Sequence, residues 1–439
     1  MTFPPGPLPY ASLLALVASA VLVAGFAEPL TKRPWAATAL ALAGAAAAGL
    51  VAAFASPGAN SLTRLIVYAV SAFVFIVLLL IPSFELEYHE QRPESIALLL
   101  LAGTGAIVLA TGGDLVSLVI GTEVLSLSSA LLIVLGRGEA VAEAAFKYFV
   151  LAAISLATLV YGLGLVYLGT GSVGFPAPPN SAVTFSGLVL LSAGFAFELA
   201  LVPLHWGALD VYTAGAPAAS GAVMALSKLG AVAALVRVVS LAGGDYPFVF
   251  AMVGLLTAVW ATLAALAQRE IRRLLGYSAI AHAGFLAMAV GSGAPGRAAA
   301  LFYVIVYSAT ALLVFASLAG LGPEPITFAE LPRRLGLGRS LALCFGLMSL
   351  AGIPPLPGFW AKLALFGPAW HALGPVPTFI GVAAAVAAAV YYLMPVPDLW
   401  NALRAPSERA RATPGVALAA LCVFSLTVVP GFLWGLIGS

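Results

Sequence analysis

Long apolar runs recur along the whole chain, and no other feature constrains its fold as strongly. A helix needs about 20 consecutive apolar residues to cross the hydrocarbon of a bilayer. Inside lipid every backbone polar group must bond within the protein, so helices are the natural way to span it. Predicted spans lie near 8–27, 35–56, 62–83, 95–112, 114–135, 143–169, 183–204, 218–241, 246–267, 275–292, 297–321, 341–366, 375–397 and 414–436. The run from Tyr277 is the shortest. Of the 439 residues, 62% are hydrophobic and 8% are charged, against roughly 25% charged in a soluble domain. A soluble chain of this size needs more polar surface to cover its core. The expectation is an all-α polytopic membrane protein with about fourteen transmembrane helices.

The basic residues test that count. With both termini outside, the odd-numbered connections face the cytoplasm. They then hold fourteen of the 19 lysines and arginines, while Arg64, Arg237 and Arg297 lie on the other side. Lys228 and Lys362 fall inside spans. This is the bias that orients membrane proteins. Met1 to Tyr10 is uncharged, which disfavours a cleaved signal peptide with a basic start.

Connections are short, so a soluble catalytic domain, a phosphate-binding loop or a dinucleotide fold is not expected. A net charge of +2 gives no reason to expect nucleic acid. Cys344 and Cys422 lie in apolar runs without metal-site spacing and read as buried thiols. Four scattered histidines form no recognisable metal cluster.

Five ionisable side chains fall well inside spans: Glu123, Glu198, Lys228, His282 and Lys362. Asp, Lys or Arg costs about 2.5–3.5 kcal/mol at a helix centre on insertion scales. Residues retained at such a cost mark an ion or proton path by default. Glu123 sits about nine residues into its span, with Thr122, Ser126, Ser128 and Ser129 as neighbouring hydroxyls. Glu198 precedes Pro203 in GFAFELALVPLHW, and proline breaks the helical ladder around the preceding turn. Lys228, in VMALSKLGAVAAL, is the nearest cation in sequence to either glutamate; the alternative is a static counter-ion for Glu198. His282 lies at mid-span in YSAIAHAGFLAM, where imidazole can relay a proton. Lys362 follows Pro354, Pro355, Pro357 and Gly358, a second broken helix beside a charge.

Three further residues are auxiliary candidates. His205 lies just past Pro203, where a near-interface histidine can simply be hydrated. Glu143 and Lys147 form an i, i+4 pair, which usually supports a helix end. The breaks in spans 7 and 12 are five spans apart. Five is odd, so matching helices cross in opposite directions, the pattern of an inverted repeat. Residues 95–241 (spans 4–8) and 242–397 (spans 9–13) are then the two copies. Residues 1–94 hold spans 1–3, and residues 398–439 hold span 14.

Four stretches, EVLSLSSALL, EAAFKYFVLAAIS, LAALAQREIRRLLGYSAIAHAGF and MSLAGIPPLPGFWAKL, resemble the antiporter-like subunits of respiratory complex I. The AIAHAG ending favours the subunit N branch of NADH:quinone oxidoreductase over M and L. The resemblance covers residues 95 to 400. It implies fourteen helices with two inverted five-helix repeats, each supplying a half-channel, joined by polar residues along the midplane. By resemblance, Glu123 is the helix-5 glutamate, Lys228 the connecting lysine of helix 8, His282 the midplane histidine of helix 10, and Lys362 the outlet lysine of helix 12. It further implies a hetero-oligomer with other membrane subunits in the bacterial inner membrane. No cofactor is expected in this chain, with NADH, FMN, iron–sulfur clusters and quinone in partner subunits.

Glu198 departs from the family pattern, which has a lysine there. If the helices face each other as in relatives, Glu123 and Glu198 form a like-charged pair that titrates as a unit, and Lys228 could serve as the shared cation. The rival readings are a multisubunit cation/proton antiporter, the membrane arm of a hydrogenase-type complex, and a scaffold that transports nothing.

Overall fold

A computed structural model describes residues 7–31, 34–54, 61–80, 92–136, 138–175, 181–321, 324–401 and 414–428. Both chain ends and several basic residues used to orient the chain, among them Lys32, Arg33, Arg137 and Arg404, lie outside the described residues. No strand occurs among the described residues, apart from an isolated bridge between Glu270 and Thr327.

The first helices are α1 (Pro7–Gly25), α2 (Ala27–Thr31), α3 (Pro34–Phe54), α4 (Ser61–Leu78), α5 (Arg92–Thr111), α6 (Leu115–Val134) and α7 (Glu139–Thr170). Next come α8 (Ala182–Leu199), α9 (Trp206–Ala214), α10 (Pro217–Ala242), α11 (Tyr246–Leu266), α12 (Ile271–Val290) and α13 (Gly293–Leu318). A 3₁₀ turn (Phe328–Glu330) leads to α14 (Leu331–Arg334), α15 (Leu337–Ala351), α16 (Pro357–Leu373), α17 (Pro375–Leu393), α18 (Val396–Asn401) and α19 (Pro414–Val428). Among the described residues, ten helical segments are long and apolar enough to cross a membrane, and four shorter apolar helices accompany them.

Three starts follow from local chemistry. Asp114 accepts the Ser117 amide at 2.7 Å while Ser117 Oγ accepts the Asp114 amide at 3.2 Å, a reciprocal cap for α6. Ser181 Oγ accepts the Thr184 amide at the start of α8. Glu270 accepts the amides of Arg272 and Arg273 and starts α12. The short Tyr277 run is therefore part of a continuous helix that begins at Ile271.

The core is built on α10 and α13, which pack against each other and are buried almost throughout. On one side α10 meets α5, α6 and α8; on the other α13 meets α12, α15 and α16. Helices α7, α11 and α17 keep large apolar side chains exposed, including Phe146, Leu168, Leu263 and Val386. An outward apolar face suits lipid or a neighbouring subunit. Close backbone approach recurs at two glycine pairs. A Cβ on Gly121 would lie 3.2 Å from the Gly105 carbonyl, and one on Gly284 would lie 2.5 Å from that of Gly254. Small residues at such crossings let transmembrane helices touch.

Candidate functional site

The apolar run that carries Glu198 does not continue as one helix. Helix α8 ends at Leu199, Ala200 takes the left-handed conformation at φ 63°, and the Val202–Pro203 bond is cis. The run 341–366 divides in the same way. Helix α15 ends at Ala351, Gly352 is left-handed at φ 83°, and the Pro354–Pro355 bond is cis. In both, the cis proline lies three residues past the left-handed residue. A helix end leaves backbone carbonyls without intrahelical partners and carries the negative end of the helix dipole.

Each break receives a lysine. Lys228 on α10 donates from Nζ to the Leu199 carbonyl. Lys362 on α16 donates to the Ala351 carbonyl at 2.9 Å. Each acceptor is the last helical residue before the left-handed cap. Lys228 is 0% exposed and Lys362 7% exposed. The sequence offered Lys228 as the counter-ion of Glu198, but the described residues hold no ion pair between them. The ammonium instead uses the helix terminus and lies 5.9 Å from the Tyr212 ring centroid.

Glu198, 4% exposed, sits in the last turn of α8. Its Oε2 accepts the Ser227 hydroxyl at 2.9 Å, and Ser227 adjoins Lys228 on α10. Its Oε1 has no hydrogen-bond partner, and neither does the buried hydroxyl of Ser126 on α6. Glu123 on α6 is only half-buried and lies within electrostatic range of Glu198. Lys228 is also within that range. Two carboxylates, one ammonium and several hydroxyls therefore share one region around the break.

Lys228 and Lys362 both lie within electrostatic range of His282. Its Nδ1 is bonded to the Tyr303 hydroxyl at 2.9 Å and its Nε2 to the Tyr392 hydroxyl at 2.9 Å. Tyr392 is bonded in turn to Ser278. Tyr307 stacks on the imidazole with centroids 4.6 Å apart. None of these tyrosines stood out in the sequence. The available signal was the i, i+4 spacing of Tyr303 and Tyr307 in an otherwise apolar helix.

The auxiliary residues lie elsewhere. Lys147 pairs with Glu143 at 2.7 Å and with Asp210 at 3.2 Å, all three on the exposed surface. Asp210 belongs to α9. His205 is buried rather than hydrated, with its ring centroid 4.5 Å from that of Trp260. Arg272, near the start of α12, is buried and donates to the Leu321 carbonyl at 2.8 Å. The described residues contain no group of three or more His, Cys, Asp or Glu that could hold a metal ion.

Residues 112–388 match the sequence profile described as NADH:quinone oxidoreductase/Mrp antiporter, transmembrane. The chain belongs to that family. The matched stretch contains all five buried or half-buried ionisable residues of the candidate path. The chain is 34% identical to NADH-quinone oxidoreductase subunit N of Deinococcus radiodurans, covering 78% of this chain and 74% of that one. It is 36% identical to NADH-quinone oxidoreductase subunit 14 of Thermus thermophilus, covering 78% and 79%. Its fold matches a chain of respiratory complex I from Thermus thermophilus with bound aureothin, with a TM-score of 0.81, 29% identity, and coverage of 97% and 98%. The family resemblance read from the four sequence stretches is thereby established.

Proposed function

We propose that the chain is a proton-translocating membrane subunit of an NADH:quinone oxidoreductase. The observation that carries this reading is the pair of lysines, Lys228 and Lys362, each docked on the carbonyl end of an interrupted helix, with His282 within electrostatic range of both. Protons move along Glu123, Glu198, Lys228, His282 and Lys362, through two half-channels. His205, Glu143 and Lys147 sit at the periphery of this path.

All fourteen predicted spans cross the membrane in this reading, with both termini on the outer face of the bacterial inner membrane. Residues 95–241 and 242–397 are the inverted repeats. The matching interruptions at Leu199 and Ala351 support that division. So do the glycine crossings at Gly105–Gly121 and Gly254–Gly284, which occupy corresponding places in the two halves.

Driving energy comes from partner subunits, which carry NADH, FMN, iron–sulfur clusters and quinone, while this chain carries no redox centre. Moving one charge against 100 mV costs about 2.3 kcal/mol. The chain's contribution is to hold and pass protons while excluding bulk water.

Glu198 favours a second reading, a cation/proton antiporter, because carboxylate and hydroxyl oxygens are ligands for hard cations. Purification of the tagged chain from native membranes separates the two. Flavin and iron–sulfur partners with NADH:quinone activity support the oxidoreductase. Purification with antiporter-like partners and sodium-dependent exchange without NADH overturns it.

A further inference from the structure

His282 has both ring nitrogens engaged by hydroxyls. Neutral imidazole has one donor and one acceptor nitrogen, and a tyrosine hydroxyl can donate or accept. Tyr303 on α13 and Tyr392 on α17 therefore satisfy either tautomer from opposite sides. The Tyr392 hydroxyl continues to Ser278, one turn before His282 on α12. Tyr307 fixes the plane of the ring by stacking at 29°, and its own hydroxyl reaches Met224 Sδ at 3.0 Å. Met224 lies one turn before Lys228 on α10, so the stack is anchored to the first lysine centre.

We infer that Tyr303, His282, Tyr392 and Ser278 form a hydroxyl–imidazole proton relay between the two lysine centres. The inference rests on the proton-translocating reading above. The charged groups acting on His282 are the side chains of Lys228 and Lys362. His282 is buried with hydroxyl partners on both nitrogens, and a buried imidazolium without an anionic partner is costly, so the ring works by exchanging tautomers. A proton reaching the Tyr303 oxygen replaces the hydroxyl proton that passes to Nδ1. The Nε2 proton passes to the Tyr392 oxygen, whose own proton goes to Ser278, and Ser278 releases one. Each O–H or N–H bond that breaks is matched by one that forms, and no net charge remains.

The test uses the whole complex in sealed vesicles, with NADH-driven proton pumping read by a pH-sensitive dye and assembly checked by native gel. Tyr303→Phe and Tyr392→Phe keep the rings and delete the relay hydroxyls. Each is expected to lower pumping by at least about tenfold, a change worth 1.4 kcal/mol of barrier. Ser308→Ala is the control, because its buried hydroxyl bonds only the Ala225 carbonyl; pumping should stay within about twofold of the parent. Should Tyr392→Phe fail to assemble, Ser278→Ala tests the same branch. Lys362→Met is run alongside. Loss of pumping in Lys362→Met with parental pumping in both tyrosine variants overturns the relay and leaves the proton reading standing. Parental pumping in Lys362→Met overturns the proton reading and the relay with it.

Discussion

Lys362 donates to the Ala351 carbonyl at 2.9 Å, so a buried ammonium is held by a helix terminus and not by a carboxylate. Lys228 stands in the same relation to Leu199. A helix end offers a fixed partial negative charge without a titratable partner. Lys362 held there can lose its proton without stranding a full negative charge beside it, whereas Lys228 also has Glu198 within electrostatic range; both arrangements suit a group that must take up and release protons.

The left-handed residue at each break sets this geometry. A Cβ on Gly352 would lie 3.1 Å from Lys362 Cδ and 3.4 Å from its Nζ. An L-residue in that conformation costs roughly 1–2 kcal/mol. Gly352→Ala should therefore lower the unfolding midpoint of the purified complex and reduce pumping by displacing the lysine. Ala200 already bears that cost at φ 63°. Ala200→Gly should raise the midpoint, and a fall there would refute the strain assigned to this position.

Glu198 stands where the family resemblance implies a lysine, and its Oε2 accepts the Ser227 hydroxyl. Glu198→Ala removes a buried proton-holding group and is expected to reduce pumping by at least about tenfold. Glu198→Lys should restore the family pair with Glu123 and leave assembly intact on a native gel. Pumping unchanged in the alanine variant would assign Glu198 a structural role.

Outside the spans, Glu330 accepts the Thr327 amide at 2.9 Å. That bond, with the Thr327 hydroxyl and nearby Arg334 and Arg333, holds its carboxyl below the usual range. A lowered folded pKa contributes stability above the unfolded value of about 4.3, and loses it as pH falls through the folded value. Hydrogen exchange at Thr327, corrected for intrinsic rates, should show constant protection from neutral pH down to that range and loss below it. Glu330→Gln should flatten the profile; an unchanged profile would contradict this origin.

The all-helical, membrane-spanning character was legible because lipid demands long apolar helices, of which the described residues hold ten, and the five ionisable residues because burial there is costly. The breaks were legible from Pro203 and from Pro354, Pro355 and Pro357. What the lysines touch was not. Sequence offers opposite charges as partners, whereas Lys228 and Lys362 use backbone carbonyls, which every residue possesses. The tyrosines around His282 were hidden for a related reason: a phenol is mostly apolar, and a buried Tyr is ordinary in an apolar run. Asp210 escaped as a partner of Lys147 because 63 residues separate them.

The most direct measurement is NADH-driven proton uptake by vesicles carrying the whole complex with Lys228→Met, in sodium-free and sodium-containing buffer. Expected is assembled complex whose pumping is lost in both buffers, while the parent pumps without sodium. Parental pumping by Lys228→Met, or transport by the parent that requires sodium and proceeds without NADH, would contradict a proton path through the buried lysines.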